Sequence, residues 1–338
     1  MIMPNVAIII LNWNGWEDTV ECLESLFQIN YPNFDVVLID NDSDDGSIEK
    51  IRQYCSGDLR INSKFFKDAS ANKPIEIFEY TEEESKRSPK PNKSLKGVSK
   101  QLFLIKNNQN QGFTGGNNIG INFALGTIDP DYVLLLNNDT VVDKNFLGEL
   151  VFYAEENLYV GVMGPKIYYY DMPNQIQVTS ARLDLWTGRN SLVGDGEIDH
   201  GQYNSISVTD YVSGACFFIR RDVIDKVGGL DSNFKCYWEE TDYCMSVRKL
   251  GYKCIYYPNA MIWHKVSKST NKVKGILTYY MARNMFWFMK KHADVSHTVV
   301  FLLFFFGLKI WYVLIDFLYR KRYVEIPFFL KGIKDGIK

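Results

Sequence analysis

The sequence predicts an α/β chain built on a doubly wound, mostly parallel sheet, followed by amphipathic and apolar helices at the C-terminal end. Three observations carry that expectation. Short apolar, β-branched runs stop abruptly in polar residues, as strands buried on both faces do. Segments with the apolar spacing of helices stand between them. The polar stops also repeat in kind: "NWN", then "DND", then "NND".

The elements follow in order. "VAIIILNWN" (residues 6–14) reads as the first strand, and "TVECLESLF" as a helix whose Val20, Leu23, Leu26 and Phe27 share a face. "FDVVLIDND" (residues 34–42) is the second strand, followed by a helix at "SIEKIRQY". "LFLIKNN", "NNIGINFAL", "YVLLLNND" and "KNFLGELVFYAEEN" continue the alternation as strand, helix, strand and helix. Residues 62–100 interrupt it with Lys, Glu, Ser, Asn and Pro, and few of them suit a core, so a surface excursion is expected. The second half is less regular. "SGACFFIRRDVIDKVGGLD" reads as strand, helix and glycine turn. "WEETDYCMSVRKLGY" is a helix with acids early and Arg248 and Lys249 late, matching its dipole. "KCIYYP" is a further strand, with "AMIWHK" after it.

Beyond residue 271 the chain turns aromatic and basic, then strongly apolar from Val299, interrupted by Lys309 and Asp316. The uninterrupted run is shorter than the roughly 20 residues a span needs. Lys290, Lys291, Arg320, Lys321 and Arg322 flank it and suit anionic headgroups. Helices lying in or dipping into the cytoplasmic membrane face are expected. A core or dimer interface and a true span are the alternatives.

The 338 residues suffice for a substantial core, and 46% hydrophobic with 15% aromatic residues describe a globular chain. A formal net charge of -2 exerts no global pull toward nucleic acid, so phosphate binding has to be local. Cys22, Cys55, Cys216, Cys236, Cys244 and Cys254 form no CxxC pair and read as reduced core thiols of a cytosolic protein. The N-terminus enters a strand almost at once, without the pattern of a cleaved signal peptide.

In an open parallel sheet, ligands bind beyond the carboxyl ends of the strands. Those ends here carry Asn12, Trp13 and Asn14; Asp40, Asn41 and Asp42; and Asn137, Asn138 and Asp139. "NQGFTGGNNIG" lacks the dinucleotide fingerprint spacing but reads as a tight loop opening a helix, where Gly112, Gly115 and Gly116 let backbone approach a ligand. Asp139 is a candidate ligand for Mg²⁺ or Mn²⁺ neutralising a diphosphate, and His264, at the end of another apolar run, can reach the same edge. Glu239, Glu240 and Asp242, walled by Tyr237, Trp238 and Tyr243, are candidates for a general base acting on a sugar hydroxyl.

Taken together these segments, with "GGLDSNFKCYWEETDYCMSVRKLGY" and the late Arg283–Asn284 pair, resemble the inverting family 2 glycosyltransferases of GT-A fold, especially the rhamnosyltransferase-like branch. The resemblance covers nearly the whole chain. It implies a glycosyltransferase domain over residues 1–270, with the insertion at 62–100, and a membrane-associated helical region over 271–338. Asn12, Trp13 and Asn14 would line the nucleotide pocket, with Asp40 on a pyrimidine and Asn41 and Asp42 beside it. Gly112, Gly115, Gly116 and Asn117 would lie near ribose and diphosphate, next to Asn137 and Asn138. Asp139 and His264 would hold the metal, with Asn137 as a further ligand. Glu240 would stand at the position of the catalytic base, with Glu239 and Asp242 as alternatives.

Two departures from the family pattern are visible. Asn137 replaces the first carboxylate of the DxD motif and brings no charge, and the base is Glu where the family has Asp. The implied donor is a UDP- or dTDP-sugar, dTDP-rhamnose being favoured. The implied acceptor is a saccharide or lipid-linked saccharide in surface glycan synthesis, and a homo-oligomer is left open. The alternative is a catalytically idle nucleotide- or sugar-binding protein of the same fold. A nucleotidyltransferase would want a basic loop where "NWNGWEDT" stands.

Overall fold

A computed structural model describes residues 3–68, 72–87, 101–266 and 275–338. In chain order the first half comprises β1 (Val6–Asn12), α1 (Trp16–Leu26), β2 (Phe34–Asp40), α2 (Ser47–Ser56), β3 (Glu76–Thr81), α3 (Glu82–Ser85), β4 (Gln101–Lys106), α4 (Gly112–Phe123), β5 (Tyr132–Asn137), β6 (Thr140–Val142) and α5 (Phe146–Glu156). The second half adds β7 (Val160–Tyr169), β8 (Ile176–Val178), β9 (Ala181–Asp184), β10 (Arg189–Leu192), β11 (Ser207–Thr209), β12 (Cys216–Arg220), α6 (Arg221–Val227), α7 (Glu239–Lys249) and β13 (Lys253–His264). Four helices close the chain: α8 (Ile276–His292), α9 (Val295–Phe304), α10 (Ile310–Tyr319) and α11 (Ile326–Ile337).

Successive side chains of a strand point to opposite faces, which explains why the apolar runs have no polar gaps. Ile8, Ile10, Val36 and Leu38 pack with α1, α2 and α5 on one face. Ile9, Val37 and Ile39 pack with α4, α6 and α7 on the other. The main sheet runs β11-β13-β7-β12-β5-β1-β2-β4-β3. It is parallel from β5 to β3, and β12 enters antiparallel between β5 and β7. The ends of β1, β2 and β5 therefore lie side by side, with Asn12 opposite Asp40 and Leu11 opposite Asn137.

Two expectations change. The stretch at 62–100 is not only a surface excursion, because β3 adds a parallel edge strand within it. Phe78 stacks on Phe103 and Tyr80 contacts Phe123, with ring centroids 5.5 and 5.2 Å apart. Residues 69–71 and 88–100 of that stretch, and the domain boundary at 270, lie outside the described residues. β7 is a buried interior strand although Pro165 and Lys166 lie in it; the buried Lys166 ammonium is held by Asp199 at 2.8 Å and Asn204 at 2.6 Å. "KCIYYP" and "AMIWHK" join into one strand, β13, with a register shift between Tyr257 and Met261 that accommodates Pro258. None of the six cysteines forms a disulfide, and five are buried.

The C-terminal helices build a third core of Phe286, Phe288, Phe301, Phe305, Phe317 and Phe329 against Phe234 and Trp238. α9 and α10 run as one continuous helix over Val295–Tyr319, joined by a π turn at Phe305–Lys309. It is 25 residues long and, by length and composition, able to cross a membrane, the one such helix among the described residues. One stripe packs inward. Leu303, Leu308, Trp311, Tyr312 and Ile315 are exposed.

Candidate active site

The strand ends are built as a hydrogen-bonded frame. Asn12, fully buried, donates to Asp40 at 2.8 Å, and the Ser43 backbone N–H donates to the other Asp40 oxygen at 3.1 Å. Asp40 is buried, but a carboxylate has about four lone-pair sites, so acceptor capacity remains for a ligand. The Thr19 hydroxyl donates to Asn12 at 2.8 Å and accepts from Asn138 at 2.9 Å, tying the tip of β5 to α1. Asn14 takes a left-handed backbone (φ 51°), and its side-chain oxygen accepts from the Asp44 N–H at 2.8 Å. Asp42 is left-handed too and exposed, while Trp13 is half-buried.

Asn41 is held on both sides of its amide. Its amide oxygen accepts from Asn107 and from the Gln111 N–H, both at 3.0 Å, and its nitrogen donates to Asn110 at 2.9 Å. It is a buried brace for the segment entering α4.

The glycine-rich stretch also differs from expectation. It is not a loop ahead of a helix: α4 begins at Gly112, which alone of its glycines has a positive φ (71°). A Cβ on Gly116 would lie 2.4 Å from the Leu11 side chain, and one on Gly120 would lie 2.5 Å from Ile9. These two glycines permit close packing of α4 on β1. Asn117 is buried and donates back to the Phe113 carbonyl at 2.9 Å. Gly112 and Gly115 lie in the first turn of α4, where the Gly112 N–H donates to Asn110 at 2.8 Å and the Thr114 N–H to the Lys235 carbonyl at 3.2 Å.

Asp139 and His264 do meet. β6 pairs antiparallel with the end of β13, which puts His264 opposite Thr140. Asp139 Oδ1 is 3.1 Å from His264 Nε2, and the Asn137 amide nitrogen is 3.4 Å from the same atom. His264 Nδ1 lies 2.9 Å from Gln177 Oε1, a partner invisible to sequence reasoning because β8 brings it from a distant segment. With Nδ1–H donating to that oxygen, Nε2 presents a lone pair toward a carboxylate. Two acceptors at this distance require a proton or a cation between them, and a second-nitrogen partner is the usual support of a metal-bound imidazole. The residues therefore fit a divalent cation. Among the described residues, no group of three or more His, Cys, Asp and Glu side chains converges. The set suits an ion that takes its other ligands from diphosphate and water, as Mg²⁺ or Mn²⁺ does.

The carboxylates of α7 separate into two kinds. Asp242 is paired on both oxygens, with His292 Nε2 at 2.7 Å and Lys291 at 2.9 Å, and so anchors α8. Glu239 and Glu240 are different: Oε2 of each is buried with no hydrogen-bond partner among the described residues. Burial pushes Glu240 up to about 7. Burial, reinforced by the Glu240 charge, raises Glu239 well above the ordinary range. Of the two, Glu239 is the more enclosed and Glu240 is half-buried. An isolated carboxyl with a near-neutral pKa at a helix start is suited to accepting a proton.

The mostly parallel sheet, with the ends of β1, β2 and β5 gathered at one edge, is the GT-A fold of glycosyltransferases. The solved structure of the mannosyltransferase PcManGT from Pyrobaculum calidifontis, in complex with GDP-Man and Mn²⁺, shares the fold, with a TM-score of 0.55 and 11% identity across 100% of this chain and 88% of that one. The model of glycosyl transferase family 2 matches residues 7–72 and 71–228, and the chain belongs to that family. It is 23% identical over 248 residues, 73% of its length, to the low-salt glycan biosynthesis hexosyltransferase Agl10 of Haloferax volcanii, and the match spans 63% of that relative. A shorter stretch of 62 residues, 18% of this chain and 20% of the relative, is 32% identical to the N-acetylglucosaminyl-diphospho-decaprenol L-rhamnosyltransferase of Mycobacterium tuberculosis.

Proposed function

We propose that this chain transfers a hexose, with inversion, from a UDP- or dTDP-sugar to a hydroxyl of a saccharide or lipid-linked saccharide during surface glycan assembly. The observation that carries the reading is Glu240, a carboxyl with one buried, unpartnered oxygen and a pKa raised to about 7. Glu240 takes the proton from the acceptor hydroxyl. The acceptor oxygen then forms its bond to the anomeric carbon as the bond to the nucleoside diphosphate breaks, and that group leaves with the electron pair. Asp40 and Asn14 stand at the nucleotide end, and the positive end of the α4 dipole favours the diphosphate. Asp139 and His264, with Asn137 if its amide oxygen is turned inward, would hold Mg²⁺ or Mn²⁺, whose charge stabilises the leaving diphosphate. The relatives' names support a glycan-building role and dTDP-rhamnose as a donor to try first.

The apolar helix supports placing the enzyme on the cytoplasmic membrane face, close to a lipid-linked acceptor. At 25 residues it would extend about 37 Å, enough to cross. Its inward stripe is nevertheless bonded to the rest of the protein. Lys309 donates to the Gly188 carbonyl at 3.4 Å, and Phe301 and Phe305 pack on Phe286. A helix fastened along one side favours lying in the interface over spanning.

The test is turnover of UDP- and dTDP-sugars with a lipid-linked saccharide acceptor, with the product's anomeric configuration read by NMR. Inverted product from the wild type and none from Glu240→Gln is expected. Retained configuration, or full activity in the variant, would refute the mechanism.

A further inference from the structure

Just before α7 the backbone enters the left-handed region three times, at Lys235 (φ 59°), Tyr237 (φ 65°) and Trp238 (φ 76°). Such backbone is unfavourable for residues with a Cβ and persists where the surroundings over-determine it. The carbonyls of residues 234–238 show what does so. Asn284 on α8 is fully buried, and its amide nitrogen lies 2.8, 2.9 and 2.8 Å from the carbonyl oxygens of Phe234, Cys236 and Tyr237. Arg283 Nε donates to the Asn284 oxygen at 2.9 Å, which fixes the direction the amide faces. The same guanidinium donates to the Asn233 and Phe234 carbonyls at 2.7 and 3.2 Å and sits 3.9 Å from the centre of the Trp287 ring. The Lys235 carbonyl points the other way and accepts from the Thr114 N–H of α4 at 3.2 Å. The Trp238 carbonyl accepts the first α7 bond, from the Asp242 N–H at 2.8 Å. Every carbonyl in the turn has a partner, and the turn joins the glycine-rich start of α4 to the helix that carries Glu240.

We propose that Asn284, oriented by Arg283, is a positioning residue: it locks the left-handed turn at residues 235–238 and thereby holds Glu240 in place relative to the anion-binding start of α4. The inference rests on the reading of Glu240 as the base. An asparagine that served only to pack α8 would spread its hydrogen bonds over its neighbours. This one directs its amide nitrogen at three carbonyls of a single strained turn.

The test uses the full chain and two readouts. The first is an infrared titration of the protonated glutamate C=O stretch, which needs no substrate. The second is release of UDP or dTDP from UDP-glucose and dTDP-rhamnose. In the wild type a titration near 7 is expected, and Glu240→Gln removes it. In Asn284→Ala the midpoint falls by about one unit as water reaches the loosened carboxyl. Its kcat drops about tenfold or more while KM for the donor stays within roughly threefold, the mark of lost positioning without lost donor binding. Adding Lys235→Gly, which removes the strain at one left-handed residue, recovers part of both effects. A folded Asn284→Ala protein with the wild-type midpoint and kcat, alongside an inactive Glu240→Gln, overturns the clamp alone. Glu240→Gln turning over like the wild type overturns the base reading and this inference with it. Where Asn284→Ala does not fold, Arg283→Lys, which keeps the charge but frees the amide to rotate, is judged by the same criteria.

Discussion

At the scale of the residue, Glu240, the proposed base, carries a stability cost. The titratable groups that feel its charge are Glu239, Cys236, Tyr237, Tyr211 and Cys244, none of them a cation. Ionisation is opposed by burial, and the folded value of about 7 stands above the 4.5 of an ordinary glutamate. Only the ionised form can accept a proton. The kcat/KM profile should therefore fall about tenfold per pH unit below that value. Stability runs the other way. Between 4.5 and about 7 the folded state binds more protons than the unfolded one, so rising pH lowers stability across that window. Glu240→Gln should melt higher than the wild type at pH 8 and lose that advantage at pH 4, while turnover falls by about 10²–10⁴. Calorimetry at the two pH values checks it. A variant less stable than the wild type at pH 8 would mean that Glu240 is paired. "EET" was legible as an acidic helix start, but choosing among its carboxylates was not, because Lys291 and His292, which claim Asp242, lie some fifty positions further on.

At the scale of the element, two packings make separate predictions. α4 lies so close to β1 that Gly120→Ala puts a methyl against the buried, β-branched Ile9. The expected cost is about 1–3 kcal/mol, read as a lower urea midpoint with unchanged slope. This also explains what the sequence alone misread. In the sequence the glycines read as a ligand-facing loop, whereas Gly116 and Gly120 serve a helix–strand contact that only the tertiary fold creates. The second prediction concerns the continuous helix Val295–Tyr319. Leu303 and Trp311 are 71% and 60% exposed, so Leu303→Glu with Trp311→Glu should leave the melting temperature nearly unchanged. The same pair should abolish co-flotation with vesicles of phosphatidylcholine and phosphatidylglycerol. Flotation that survives the pair would assign the exposed stripe to another copy of the chain or to a protein partner. Strand β3 was missed for a third reason. "EIFEYT" alternates at the edge of the sheet amid charged neighbours, and half-exposed edge strands lack the continuous apolar run that announces β1 or β5.

At the scale of the whole molecule, the parallel half was legible because each buried strand and its helix are local patterns. The arrangement of the other half was not, because β7, β12 and β13 owe their places to pairings between distant segments. The Asp139–His264 pair shows both sides of that limit. Asp139 was visible at a strand tip and His264 at the end of an apolar run, 125 residues away, yet their 3.1 Å approach depends on β13 folding back onto β6. This long-range closure gives the last prediction. If cation and nucleotide meet at that pair, each should require the other. A ligand at about one hundred times its dissociation constant adds about 2.7 kcal/mol of stability, a rise of a few degrees for a chain of this size. UDP, dTDP, GDP and CDP are to be compared with and without Mn²⁺, on wild type, Asp139→Ala and His264→Ala. One pyrimidine diphosphate should stabilise the wild type only with Mn²⁺, and both variants should lose the Mn²⁺-dependent part. Stabilisation that ignores Mn²⁺ would leave Asp139 and His264 as a structural pair and the diphosphate to the start of α4. No shift with any nucleotide would favour an idle member of the fold over an enzyme.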